Sequence, residues 1–167
     1  MTKAPQLHLT VLVVDDNHHM RSIIKELLRS IGVQDIREAG DPVDAFEILK
    51  TVPVDLLLAD LSMPLIDGVE FVSMVRNSAD SPNPFLPVIM ITGHSERSRV
   101  TAARDAGVNE FLVKPVTAKN LLERLTMIVN SPRSFVRSGT YFGPDRRRRR
   151  DPNFKGPYRR KDDQPEN

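Results

Sequence analysis

Along the first 130 residues, short apolar runs alternate with amphipathic segments. Five short runs read as strands, at 9–14, 35–39, 55–59, 88–92 and 110–113. Between them the spacing becomes helical. Met20, Ile23, Ile24, Leu27, Leu28 and Ile31 follow i, i+3, i+4, i+7, and Gly32 stops the pattern. Asp41-Pro42 reads as an N-cap followed by proline at the first helical position. Phe71, Val72 and Val75 mark a third helix. Ser95 is placed to cap a fourth, which ends at Ala106-Gly107. Leu121, Leu122, Leu125, Ile128 and Val129 mark a fifth. Five βα units predict an α/β fold with a parallel sheet covered on both faces by helices.

Several of these strands end in chemistry. "VLVVDDN" runs into Asp15 and Asp16, and "DLLLAD" into Asp60. Thr92 closes the fourth strand, and Lys114 follows the fifth in "FLVKP". In open parallel sheets, ligands bind beyond the carboxyl ends of the strands. Three neighbouring carboxylates repel one another, so a cation or a raised pKa must compensate. Magnesium suits a few carboxylates and phosphate oxygens. A hydroxyl and an ammonium beside them suit phosphoryl transfer, where positioning and charge neutralisation supply most of the catalysis. Single residues are weaker signals. Asp16 or Asn17 could simply cap the first helix. His18 and His19, adjacent on a helix, diverge by about 100° and make a poor ligand pair.

Composition narrows the field. The chain has 167 residues and no cysteine, which excludes disulfides and thiol chemistry. The first apolar run ends in aspartates and reads as a strand, not a signal peptide. No apolar run approaches the roughly 20 residues of a membrane helix, so a cytoplasmic protein with no membrane span is expected. The net charge of +2 hides an asymmetry: residues 1–130 carry 13 basic and 17 acidic side chains, and residues 131–167 carry 11 and 5.

The segments "VLVVDDN", "DLLLADLSMPLIDG", "VIMITG" and "FLVKP", in this order and spacing, resemble the receiver domain of two-component response regulators, of the chemotaxis single-domain type. The resemblance covers 8–130 and implies a flavodoxin-like five-stranded sheet of order 2-1-3-4-5 with five helices. It implies Asp60 as acceptor of a phosphoryl group from a histidine kinase, a phosphotransfer protein or a small acyl phosphate. It implies a Mg2+ site from Asp15, Asp16, Asp60 and the backbone carbonyl of Ser62. Thr92 and Lys114 would hold phosphoryl oxygens, and Thr92 with Phe111 would form the switch. Phe111 lacks a hydroxyl, so a switch there works by packing. Ser62 and His94 stand where side chains tune dephosphorylation. The Lys114-Pro115 bond is expected to be cis. A receiver catalyses its own phosphorylation and dephosphorylation and has no outside substrate, so it is not an enzyme in the turnover sense.

Residues 131–167 are rich in Pro, Gly, Arg and Asp and show no helical or strand period, which predicts a mostly disordered tail. It holds a partial repeat, "GPDRR" at 143–147 and "GPYRR" at 156–160, with Tyr141, Phe142, Phe154 and Tyr158 interleaved. Arg146, Arg147, Arg148, Arg149, Arg150, Arg159 and Arg160 are its candidate binding residues. An acidic protein surface, the receiver's own included, is favoured over nucleic acid or anionic lipid, and the interleaved aspartates weaken the nucleic-acid reading. Two functions therefore compete. One is a single-domain response regulator that switches binding to a target protein, with phosphorylation-dependent dimerisation left open. The other is a phosphorylation-independent module acting through the Arg/aromatic tail.

Overall fold

The structure, a computed structural model, describes residues 6–93 and 97–147. Five strands form one parallel sheet: β1 (Leu7–Val14), β2 (Val33–Ala39), β3 (Leu56–Asp60), β4 (Val88–Thr92) and β5 (Glu110–Val113). Their order is β2-β1-β3-β4-β5, as the resemblance implied. Helices α1 (His18–Ser30), α2 (Pro42–Thr51), α3 (Gly68–Asn77), α4 (Arg97–Ala106) and α5 (Ala118–Asn130) connect and follow them.

Two apolar layers sandwich the sheet. Val11, Val13, Leu56, Leu58, Ile89 and Ile91 pack with Ile24 and Leu28 of α1 and with Leu121 and Leu125 of α5. Leu12, Val14, Leu57, Ala59, Val88 and Met90 pack with residues of α2, α3 and α4. Strand side chains alternate between the two faces and both faces are covered, which is why these strands read as unbroken apolar runs.

Local signals set the helix ends. Asn17, not Asp16, caps α1, its side chain accepting from the His19 and Met20 amides. Asp41 caps α2 through the Asp44 amide. Asp67 and Glu70 form a reciprocal capping box on α3. Gly107, at φ 107°, ends α4. The Ser95 cap lies outside the described residues. On α5 the inward stripe is narrower than the spacing predicts: Leu121 and Leu125 are buried, but Leu122 and Val129 are exposed on its flank.

The described part of the tail departs from the expected disorder. Residues β6 (Phe135–Ser138) and β7 (Tyr141–Pro144) pair antiparallel as a hairpin. Such a segment cannot build a core alone, and it borrows one from the domain. Phe135 and Phe142 meet Phe85 edge-on, at 5.1 and 5.2 Å between ring centroids. The Pro-rich loop before β4 is therefore the hairpin's seat. Beneath it lies Arg76, 2 % exposed. Its guanidinium donates to the carbonyls of Gly107 and Pro84 and to Asn109 Oδ1, and stacks 4.9 Å from the Phe135 ring. Burial lowers the Arg76 pKa to about 10, which still leaves the group charged at neutral pH. Gly143 lies so close that a Cβ there would sit 2.8 Å from Gly107 Cα. Residues 148–167 lie outside the described residues.

Candidate functional site

β1 and β3 are neighbours, so their carboxyl ends bring Asp15, Asp16 and Asp60 together. One carboxylate oxygen from each lies within 4.8 Å of the other two. Asp15 and Asp60 are buried, and Asp16 is exposed. The lysine after β5 reaches the cluster: Lys114 Nζ stands 3.0 Å from Asp60 Oδ1. Lys114 is held by its own backbone, whose amide donates to the Thr92 carbonyl at 2.8 Å, and the following Lys114-Pro115 bond is cis, as expected. Thr92 is buried at the end of β4, in register with Val113. Phe111 is half-buried against the α2–α4 layer, with Met90 beside it in the strand register.

The environment of Asp15 is unusual for a carboxylate. Oδ1 accepts from the Asn17 amide at 2.8 Å, and the Asp15 carbonyl accepts from Arg21 at 2.7 Å. Oδ2 is buried and accepts no hydrogen bond from any described residue. Burial pushes the Asp15 carboxyl above its ordinary value. The Asn17 amide and the Lys114 charge oppose that shift, and the neighbouring Asp16 adds to it. An orphaned buried oxygen among three carboxylates is a ready donor for a hard cation. The donor set is all oxygen, with one member exposed to admit water ligands, so it fits Mg2+.

The loop after Asp60 is closed by its backbone. The Leu61 amide donates to the Ile91 carbonyl, and the Gly68 amide donates back to the Leu61 carbonyl, both at 2.9 Å. Gly68 is wedged beneath β3: a Cβ there would lie 2.4 Å from the Asp60 carbonyl oxygen. Arg99 of α4 reaches over to the same loop, donating to Ser62 Oγ at 3.0 Å and to Asp67 Oδ2 at 2.6 Å. Sequence reasoning passed over Arg99 and Arg76, since an arginine in an amphipathic helix usually marks the solvated face. His94 lies outside the described residues. His18 and His19 join no metal-ligand cluster among the described residues.

In the tail, Arg146 stacks 4.3 Å over the Tyr141 ring and pairs with Asp105 of α4 at 3.0 Å. Arg137 stacks over Phe142 at 4.4 Å. Tyr141 donates its hydroxyl to the Pro144 carbonyl at 2.6 Å, and both rings are buried. These aromatics are spent on the chain's own arginines and backbone, which withdraws them from base stacking. Arg147 is exposed and its amide donates to the Asp145 side chain. Arg148, Arg149, Arg150, Arg159 and Arg160 lie outside the described residues.

Comparison with known proteins agrees with this geometry. The family described as the response regulator receiver domain matches residues 11–126. The chain is 39 % identical over 121 residues to chemotaxis protein CheY-3 of Vibrio cholerae, covering 72 % of this chain and 92 % of that one. It is 39 % identical over 120 residues to chemotaxis protein CheY of Pseudomonas aeruginosa, covering 72 % and 95 %. Among solved structures, Vibrio cholerae CheY4 superposes with a TM-score of 0.65 at 27 % identity, over 73 % of this chain and 99 % of that one. The receiver domain of a sensor histidine kinase from Pseudomonas aeruginosa superposes with a TM-score of 0.65, over 75 % of this chain and all of that one. At 24 % identity it shows the shared fold, and its own active site cleft holds a magnesium ion.

Proposed function

The chain belongs to the response regulator receiver domain family, and from that premise we propose that it is a phosphorylation-controlled switch with Asp60 as acceptor. The observation that carries the reading is the buried Asp60 carboxylate, set between two further aspartates and the Lys114 ammonium at the ends of parallel strands. A histidine kinase or phosphotransfer protein is the donor. An Asp60 oxygen attacks phosphorus, the P–N bond to the donor imidazole breaks, and the imidazole takes up a proton from solvent.

Asp15, Asp16, Asp60 and the Ser62 carbonyl hold Mg2+, which when bound neutralises charge gathering on the phosphoryl oxygens. Lys114 takes another of those oxygens, and the Thr92 hydroxyl a third. Thr92 lies one strand from Asp60 and Phe111 packs beside Met90, so a move of Thr92 opens space into which Phe111 repacks. The face formed by α4, β5 and α5 then changes its affinity for a downstream target protein. The protein works in the cytoplasm. Among the described residues no helix is long and apolar enough to cross a membrane.

Incubation with a phosphorylated histidine kinase domain tests the reading. Label should move to the wild-type chain in the presence of Mg2+ and not to Asp60→Asn. Transfer to Asp60→Asn at the wild-type rate would refute it. Deleting residues 148–167 separates the rival tail-driven module: the switch keeps its phosphorylation-dependent target binding, and a constitutive module loses its binding.

A further inference from the structure

The loop from Leu61 to Asp67 carries the Ser62 carbonyl and is anchored by backbone bonds at its neck. Its tip is open, with Leu65 fully exposed at φ 66°. Between neck and tip the guanidinium of Arg99 bridges two loop side chains, Ser62 and Asp67. Asp67 is also the cap of α3, its other oxygen accepting from the Glu70 amide at 2.9 Å. One side chain of α4 thus grips both the residue two after Asp60 and the start of α3.

We propose that Arg99 is a positioning residue, whose bridge from Ser62 to Asp67 holds the loop in its metal-binding shape and makes that shape depend on where α4 lies. The inference rests on the proposed role of the Ser62 carbonyl. A rigid planar fork can hold two acceptors in fixed relation, and an ammonium cannot do so in the same way. Whatever draws α4 away from the loop loosens the Ser62 carbonyl and weakens the cation site. By linkage, a bound cation favours the α4 position seen here. Donor orientation of this kind commonly matters to metal affinity even though the orienting group never touches the ion.

The sign of the effect separates positioning from charge. Arg99 is a cation paired to Asp67 on the loop that carries the Ser62 carbonyl, so through charge alone its removal would tighten Mg2+ binding. Positioning predicts the reverse. The test titrates Mg2+ into full-length wild type, Arg99→Ala and Arg99→Lys by calorimetry, and follows amide exchange of the metal-free proteins. Arg99→Ala should bind Mg2+ about tenfold more weakly. Arg99→Lys, which keeps the charge and loses the fork, should also bind more weakly than wild type. Adding Ser62→Ala to Arg99→Ala should weaken binding no further. Without metal, the amides at 62–67 should exchange faster in both variants, with those of β1 and β3 unchanged.

Unchanged or tighter Mg2+ binding in Arg99→Ala, or full rescue by lysine, overturns the proposal. So does unchanged exchange at 62–67. If the wild type itself binds no Mg2+, the reading of the acidic site fails, and the exchange measurement still decides whether Arg99 ties the loop.

Discussion

Lys114 Nζ and Asp60 Oδ1 stand 3.0 Å apart, joining the ends of two strands that are not neighbours in the sheet. Asp60 is 4 % exposed, and the lysine's side chain 35 %. The pair is half open to water, so its worth to stability is discounted by solvent screening. Its importance lies in where the charge sits. Lys114→Met should fold and still bind Mg2+, but its phosphorylation by an acyl phosphate should slow by about tenfold or more, as a positioned charge beside a reacting oxygen predicts. Initial rates at saturating Mg2+ check this, and an unchanged rate would remove Lys114 from the reaction.

The buried Asp15 predicts a particular pH response. Its folded pKa is raised above 3.8, chiefly by burial, so as pH rises the unfolded chain releases this proton first. Stability of the metal-free protein should fall as pH climbs through the window from 3.8 to the raised folded pKa of Asp15 and stay lower beyond it. Mg2+ needs the deprotonated carboxylate, so the gain in Tm from Mg2+ should grow across the same window. Asp15→Asn should melt higher than wild type without metal at neutral pH and gain nothing from Mg2+. Thermal melts with and without Mg2+ at several pH values decide it.

Gly68 packs against the Asp60 backbone. The 2.4 Å approach of a Cβ to the Asp60 carbonyl oxygen cannot be relieved by a rotamer change. Gly68→Ala should cost about 3 kcal/mol, at the upper end of overpacking penalties, and should displace Asp60. Urea denaturation measures the first effect, and the phosphorylation rate the second.

The hairpin predicts that the folding unit runs past the end of α5. Tyr141 and Phe142 are 5 % and 8 % exposed. Tyr141→Ala should cost about 3 kcal/mol, as large-to-small changes at buried aromatics do. A chain truncated after residue 130 should melt well below the full chain, because Arg76 then loses the Phe135 ring that covers it. Equal melting of the truncated and full chains would show the hairpin to be energetically idle.

What was legible in the sequence follows from physical range. Strands such as Val11–Val14 announce themselves because both faces are covered, so no polar residue interrupts them. The acidic site was legible because each member ends a strand. The hairpin was not. Its strands are four residues long and its apolar partner, Phe85, belongs to the Pro-rich loop before β4, far from them along the chain. Arg76 was hidden for a similar reason. Its acceptors Gly107 and Asn109 lie more than thirty residues away in sequence, so nothing near Arg76 marks it as buried. Arg99 is tied to Ser62 across 37 residues. Contacts of that kind appear only once the sheet order has brought α3 and α4 side by side.

The most direct test of the central claim is incubation of the purified full chain with a small acyl phosphate and Mg2+, followed by intact-mass analysis beside Asp60→Asn and a chelated control. The account predicts one phosphoryl group on the wild type with metal, on Asp60, and none on the variant or the chelated sample. Phosphorylation that persists in Asp60→Asn, or a wild type that stays unmodified with both acyl phosphate and a kinase domain, would contradict it.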